Sequence, residues 1–297
     1  MSLWILVTLA AAAMQTVRFM LQKQLKGAGL STGGATFARF IFAAPLAALV
    51  ASLALAVSGE AFPPLTARFW TFALVGGVGQ IVATLATVAL FSLRNFAVGI
   101  AFTKTETVQV AAFSALILGE AVSLWGWSAI GVGFAGVLLL SRASEGGLRF
   151  DPKATALGLL AGGFFGISAI GYRGATLELM PLGFFLRAVL TLACVTASQT
   201  VMMAVWLRLR QPGEAGRVVR TWRKTALVGL TGMLGSLGWF TAFSLQNAAL
   251  VRAVGQVEIV FTLVASALVF RERLHLREAA GIALVVTSLL MIVLALG

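Results

Sequence analysis

The chain is poor in charged residues, and this scarcity excludes most water-soluble proteins. Of its 297 residues, 11% are charged and 60% are hydrophobic, whereas soluble domains carry about 25% charged residues. A soluble fold of this composition would have too little polar surface to cover its core. We therefore expect a membrane protein.

Cysteine and histidine occur once each, which removes two kinds of chemistry. Cys194 alone cannot form a disulfide within the chain, and Cys194 with His275 is too little for a metal site of the usual Cys/His kind. The sequence also has no phosphate-binding loop and no cofactor motif. We expect no cofactor, no metal and no enzymatic activity, and a membrane-embedded enzyme is the weakest of the alternatives.

Long apolar runs are abundant, and ten of them approach the roughly 20 residues that a membrane-crossing helix needs. They lie at about 3–22, 32–57, 69–93, 97–118, 123–141, 154–173, 181–206, 225–246, 249–270 and 278–296. The predicted fold is therefore an all-α membrane protein with ten transmembrane helices.

The second half of the chain repeats the first. The segment Phe91–Ala97 returns as Phe243–Ala249, and in the same register Glu258 follows Glu106 by 152 positions. Internal repeats of this kind, with ionisable residues inside apolar runs, are typical of transporters.

Each half contains five apolar runs, so the predicted domains are two five-helix repeats, 1–150 and 151–297. An odd number of crossings makes the second repeat enter the membrane from the opposite face. The two repeats are therefore expected to be inverted relative to one another.

The formal net charge of +12 comes from basic residues in loops between the apolar runs, which argues against a nucleic-acid partner. Most lie in the connections after the odd-numbered runs. The connections after runs two, four, six and eight contain only Arg68 and Arg173. The positive-inside tendency predicts that the basic odd-numbered loops are cytoplasmic and that both termini lie outside, in a protein of the cytoplasmic (inner) membrane.

Motifs around the repeat point to a family. They are Ala101–Glu106 with Gly119–Glu120, their counterparts Gly255–Glu258 with Arg271–Glu272, and the glycine-rich stretches Trp127–Leu140 and Gly281–Leu294. With these motifs and this number of runs, the chain resembles the drug/metabolite transporter superfamily, specifically its two-repeat EamA-type members. The resemblance implies ten helices around a central cavity and a secondary carrier for small metabolites. Several relatives have cytoplasmic termini, whereas the loop charges here indicate the reverse, so the direction of transport does not follow from the family.

Six charged residues lie inside apolar runs, where an unpaired charge is costly. They are Arg18, Arg39, Lys104, Glu106, Arg187 and Glu258. Similar depths in the membrane predict two ion pairs, Arg39–Glu106 and Arg187–Glu258. These pairs either brace neighbouring helices or allow a glutamate to exchange a coupling proton. Arg252, near an end of the ninth run, is expected to extend to the interface.

Lys104 and Arg18 have no basic counterpart in the other repeat. The position that corresponds to Lys104 in the second repeat is Gln256. Residues that break the symmetry suit an asymmetric ligand, so we expect both to bind a carboxylate or phosphate. Gln80, Gln256 and Trp239 are further candidates for substrate binding, with helix–helix hydrogen bonding and core packing as the alternatives.

One glycine stripe stands out in the eighth run. Gly229, Gly232, Gly235 and Gly238 recur every third residue. Small residues at this spacing allow two transmembrane helices to approach closely. We refer to these four residues as the glycine stripe.

Basic residues outnumber acidic ones inside the runs. The sequence therefore predicts a secondary transporter for a small zwitterionic or anionic metabolite, such as an amino acid, with a proton as candidate coupling ion. A flippase for a lipid or lipid precursor has the same architecture and is the alternative. Beyond the substrate and the lipid bilayer no partner is expected. Ten helices can enclose a cavity, so we expect a monomer or weak homodimer.

Overall fold

The computed structural model describes residues 2–93, 103, 106–120, 122–143 and 152–269, together with short pieces between 280 and 291. Within these ranges every regular element is helical. The helices are α1 (Leu3–Gly27), α2 (Thr32–Ser58), α3 (Ala67–Leu90), α4 (Glu106–Phe113), α5 (Leu124–Ala143), α6 (Pro152–Leu177), α7 (Phe184–Arg210), α8 (Glu214–Arg220), α9 (Trp222–Leu245), α10 (Ala248–Val254) and α11 (Glu258–Val269).

Seven helical stretches of the described chain are long and apolar enough to cross a membrane. They are Leu3–Gly27, Thr32–Ser58, Ala67–Leu90, Ala156–Leu177, Phe184–Arg210, Trp222–Leu245 and Ala248–Val269. Each overlaps one of the predicted runs, because a segment in hydrocarbon must satisfy its own backbone hydrogen bonds and so becomes helical. Of the other three predicted runs, 123–141 lies within the described residues and corresponds to α5 (Leu124–Ala143), whereas 97–118 and 278–296 lie only partly within them.

The glycine stripe packs α9 against α1 and α2. A Cβ at Gly238 would lie 2.7 Å from the Cβ of Ala11 in α1, and a Cβ at Gly229 would overlap Phe42 in α2. As residue numbers increase along α9, the α1 residues in contact with it have decreasing numbers. The two helices are therefore antiparallel. The close approach predicted from the glycine spacing is confirmed.

Helices α3 and α6 form a second close antiparallel pair. A Cβ at Gly79 would lie 2.9 Å from the carbonyl oxygen of Phe164, and one at Gly76 would lie 3.0 Å from the ring of Tyr172. Helix α7 packs antiparallel on α2, since Gly33 at the start of α2 faces Leu207 near the end of α7.

The predicted run 249–270 is not one continuous α-helix. Helix α10 ends at Val254, a 3₁₀ turn spans Gly255–Val257, and α11 starts at Glu258. The ring of Trp239 lies where a Cβ at Gly255 would be, at 2.6 Å. This irregular backbone is buried in protein, which is where a membrane helix tolerates a break.

Side-chain caps set three helix starts. Ser31 Oγ accepts a hydrogen bond from the backbone N–H of Gly34, and Thr66 Oγ1 accepts one from Phe69. The Asn247 carbonyl oxygen accepts from the N–H of Ala249 at 2.7 Å. Each cap satisfies a backbone donor that the first turn of a helix leaves free, so α2, α3 and α10 begin at defined residues.

Candidate functional site

Five charged side chains meet in the interior of the bundle. Arg18, Arg39, Glu106, Arg252 and Glu258 are each at most 5% exposed. Arg18 interacts electrostatically with Arg39 and Glu258, Arg39 with Arg252, and Arg252 with Glu106 in an ion pair. We call these five residues the central cluster. They come from α1, α2, α4, α10 and α11, so both halves of the chain contribute.

Arg18 and Arg39 lie side by side against α9 at Gly232. A Cβ at this glycine would be 3.0 Å from Cγ of Arg39 and 3.2 Å from Cδ of Arg18. Because Gly232 has no side chain, the side chains of both arginines have room to pass α9 into the interior.

The donors of these two arginines bind neutral groups. Arg39 donates to the hydroxyls of Thr84 (3.2 Å) and Ser236 (3.0 Å). Arg18 donates through Nη1 to the amide oxygen of Gln22 at 3.0 Å, and its guanidinium lies 4.0 Å above the ring of Phe19. Hydroxyl and amide oxygens satisfy hydrogen bonds but do not neutralise a charge.

Arg252 is enclosed by aromatic rings and pairs with Glu106. Its Nη1 is 3.6 Å from Oε1 of Glu106, and its guanidinium lies 4.5 Å from the ring centroid of Trp239 and 5.5 Å from that of Phe243. Cation–π contacts are strongest when desolvated. The expected extension of Arg252 to the interface does not occur: its side chain turns inward, where a carboxylate and aromatic faces receive it.

Glu258 belongs to a hydrogen-bonded chain that links three helices. Trp239 Nε1 in α9 donates to the amide oxygen of Gln15 in α1, and Gln15 Nε2 donates to Oε2 of Glu258, both at 3.0 Å. Gln15 thus fixes the position of the carboxylate relative to the indole. Gln15 lies in an apolar run on the helix turn before Arg18, where a glutamine suits hydrogen bonding to a neighbouring helix.

Gln80 lies beside the central cluster rather than in it. Its Nε2 is 3.4 Å from the Thr84 hydroxyl that also receives Arg39, and its amide oxygen accepts from Ser168 at 3.0 Å. A neutral network of this kind orients Arg39 and joins α3 to α6.

The two predicted ion pairs differ from the contacts that the structure shows. Glu106 pairs with Arg252 rather than Arg39, and Arg187 donates to the backbone carbonyl of Ser244 at 3.0 Å. Counting residues along a run predicts depth but not rotation about the helix axis. Rotation decides which side chains face one another.

Of the other two predicted substrate residues, Gln256 stands apart from the central cluster and Lys104 cannot be placed. Gln256 is 1% exposed and lies against α5, where its amide oxygen occupies the space that a Cβ at Gly133 would take. Lys104 is outside the described residues. Within the described ranges, no three His, Cys, Asp or Glu side chains are placed to hold a metal ion.

Both ends of the bundle carry polar contacts between the halves. At the basic end, where α1 ends and α2 begins, Oε1 of Glu214 accepts from the backbone N–H of Ser31 at 2.6 Å. Gln211 accepts from the Ser31 hydroxyl at 2.6 Å, and Arg217 binds both Glu214 and the carbonyl of Gly29. These contacts join the α1–α2 connection to the α7–α8 connection.

At the opposite end, Arg173 of α6 makes a two-pronged contact with one carboxylate oxygen of Glu120. Its Nη2 and Nε lie 2.6 and 2.8 Å from Oε1, and its Nη1 donates to the carbonyl of Phe243 at 2.6 Å. The hydroxyl of Ser114 and the amide of Asn247 also contact Glu120. The central cluster therefore lies between two polar closures.

Several solved structures are similar to the chain; one of them, a crystal structure, has a TM-score of 0.67 and 17% sequence identity and covers 96% of this chain and 98% of the other. At this identity the likeness shows the fold alone. None of the curated proteins compared with the chain matches it. The model of the EamA-like transporter family matches residues 152–294. Together with its apolar helices, this match makes the chain a multi-pass membrane protein with an EamA-like transporter family domain, consistent with the drug/metabolite transporter superfamily.

Proposed function

We propose that the protein is a secondary active transporter that moves a small zwitterionic or anionic metabolite across the cytoplasmic membrane by alternating access. The observation that carries this proposal is the central cluster. Charged side chains inside a membrane bundle are costly and mark substrate or ion pathways. Arg18, Gln80, Gln256 and Trp239 are proposed substrate contacts, and Lys104 stays a prediction from the sequence.

The helix pairs support a ten-helix arrangement of two inverted repeats, 1–150 and 151–297. The close pair of the first and eighth runs (α1 with α9) becomes the pair of the sixth and third runs (α6 with α3) when the halves are exchanged. The second and seventh runs (α2 and α7) pack on each other. All three pairs are antiparallel, as expected for an axis in the membrane plane.

The polar closures and the broken helix support alternating access. Both closures join one half to the other, so a movement between the halves has to open one of them. The 3₁₀ turn Gly255–Val257 interrupts the helix directly before Glu258 and is the proposed hinge. Discontinuous helices at the repeat interface are where transporters bind substrates and coupling ions.

Transport in proteoliposomes tests the function. We expect saturable counterflow of a small anionic or zwitterionic metabolite, and a change in its accumulation when a proton gradient is imposed. Lys104→Gln is expected to raise the apparent KM while the protein still folds. Translocation of labelled phospholipid without any metabolite flux would assign the protein to the flippase alternative instead.

Cysteine labelling tests the orientation. In a Cys194→Ser background, Glu60→Cys reports on the connection after α2, and Gly216→Cys, where a side chain meets open space, reports on the basic end. We expect an impermeant maleimide to label Glu60→Cys from outside the cell and Gly216→Cys only from the cytoplasm. Labelling of both from one side would contradict the crossing pattern.

A further inference from the structure

We infer that the substrate is an anion without a compensating amine, and that its carboxylate or phosphate binds between Arg18 and Arg39 beside Gly232. This inference rests on the proposed transport function and narrows its substrate class. Both arginines are buried, at 1% and 5% exposure. They approach each other through the gap that Gly232 leaves in α9.

The charge of the central cluster favours an anion. The cluster holds three arginines against two glutamates, and one of those glutamates is paired with Arg252. Arg18 and Arg39 repel each other electrostatically in a medium of low dielectric constant. A bound anion neutralises the excess, whereas a zwitterion leaves the net charge unchanged and a cation increases it.

The hydrogen bonds leave a donor for this anion. Nη1 of Arg18 is used by Gln22, but Nη2 of Arg18 has no hydrogen-bond partner among the described residues, although it is fully buried. A buried donor without an acceptor is costly. Guanidinium groups present planar donors that match carboxylate and phosphate oxygens, often two at a time.

The other half of the chain does not repeat this arrangement. Gln80 is 152 positions before Gly232, and its amide fills the corresponding place on α3 with neutral hydrogen bonds to Ser168 and Thr84. The anion site therefore exists on one side of the interior only. A substrate with one anionic group and a neutral remainder fits this asymmetry.

Binding to purified protein in nanodiscs tests the inference with compounds of matched skeleton. Lactate is the anion, alanine the zwitterion and alaninamide the cation, and glycerol 3-phosphate supplies a phosphate. We expect lactate or glycerol 3-phosphate to bind at least tenfold more tightly than alanine, and alaninamide not to bind. Preferred binding of alanine or alaninamide would overturn the inference.

Substitution at the site separates binding from folding. Arg18→Gln is expected to weaken anion binding at least tenfold, and Arg18→Lys, which keeps the charge, to restore part of it. Arg220→Gln, at an exposed position of α8 outside the closures, is the control and should leave binding unchanged. Unaltered anion binding by a folded Arg18→Gln protein would overturn the inference.

The same proteins measured for flux distinguish this inference from the proposed function. Anion binding that depends on Arg18 without any counterflow would refute transport and leave the anion site standing. Saturable flux of alaninamide that is indifferent to Arg18 would support transport and refute the anion site.

Discussion

Positions 152 residues apart in the two halves carry related residues but make different contacts. Glu106 forms an ion pair with Arg252, whereas its counterpart Glu258 accepts a hydrogen bond from the neutral amide of Gln15. The position corresponding to Arg252 in the first half is Ile100. The repeat thus places carboxylates in both halves, and residues outside the repeat pattern decide what each carboxylate binds.

The glycines show the same divergence. Gly77 and Gly229 are 152 positions apart, yet a Cβ at Gly77 would make an ordinary contact at 3.6 Å with Gln199, while one at Gly229 would overlap Phe42. A repeated glycine is therefore a packing requirement in one half and not in the other. Substitutions at matched positions in the two halves test how these different contacts affect stability.

The largest expected effect follows from removing the carboxylate of Glu106. Glu106→Gln leaves Arg252 buried without its paired charge, which costs about 3–5 kcal/mol of stability. Thermal unfolding of the purified protein in a mild detergent measures this loss of stability. The double variant Glu106→Gln with Arg252→Met should recover part of it, since the guanidinium that lost its partner is also removed. Equal stability of Glu106→Gln and the native protein would show that the ion pair is not significant.

The second effect concerns Gln15, the partner of the other carboxylate. Gln15→Met removes a donor to the Glu258 carboxylate and the acceptor for Trp239, and a hydrogen bond to a charged group contributes about 1.5–3 kcal/mol. The shape of the side chain is nearly kept, so packing changes little. Indole fluorescence should shift as Trp239 loses its acceptor. An unchanged spectrum and unchanged unfolding midpoint would contradict the hydrogen-bonded chain.

The sequence predicts the helices of the fold better than it predicts the contacts within the site. The apolar runs predict the helices well because the bilayer admits few alternatives. They also predict that Arg18, Arg39, Glu106 and Glu258 lie within the membrane, since each is inside a run.

The partners were less accessible to sequence reasoning. Arg252 lies near the end of a run, but beside the 3₁₀ turn at Gly255 its side chain points inward, against the ring of Trp239. The turn depends on a ring from another helix, which no local pattern reveals. Gly255 inside an apolar run was the available hint of a break.

A third prediction compares the two glycines directly. Gly229→Ala forces a Cβ into Phe42, and overpacking of this kind costs about 1–3 kcal/mol. Gly77→Ala meets no such obstacle and should be neutral or stabilising by up to about 1 kcal/mol, because alanine is the better helix former. Unfolding midpoints of the two variants in the same detergent measure the difference. Identical midpoints would mean that α9 can move away from α2 without loss.

The smallest effect on stability is expected from removing an ion pair at the surface, where α3 meets the end of α6. Arg68 pairs with Glu178 at 3.2 Å, but the Arg68 side chain is 72% exposed. Exposed pairs of this kind contribute about 0–1 kcal/mol because water screens the charges and ordering two side chains costs entropy. Arg68→Ala should therefore shift the unfolding midpoint little. Arg173→Ala is the matched comparison, since Arg173 is 13% exposed, pairs with Glu120 at 2.6 Å and also holds the carbonyl of Phe243. A larger loss of stability for Arg68→Ala than for Arg173→Ala would mean that the exposed Arg68–Glu178 pair, and not the Arg173–Glu120 contact, holds the two halves together.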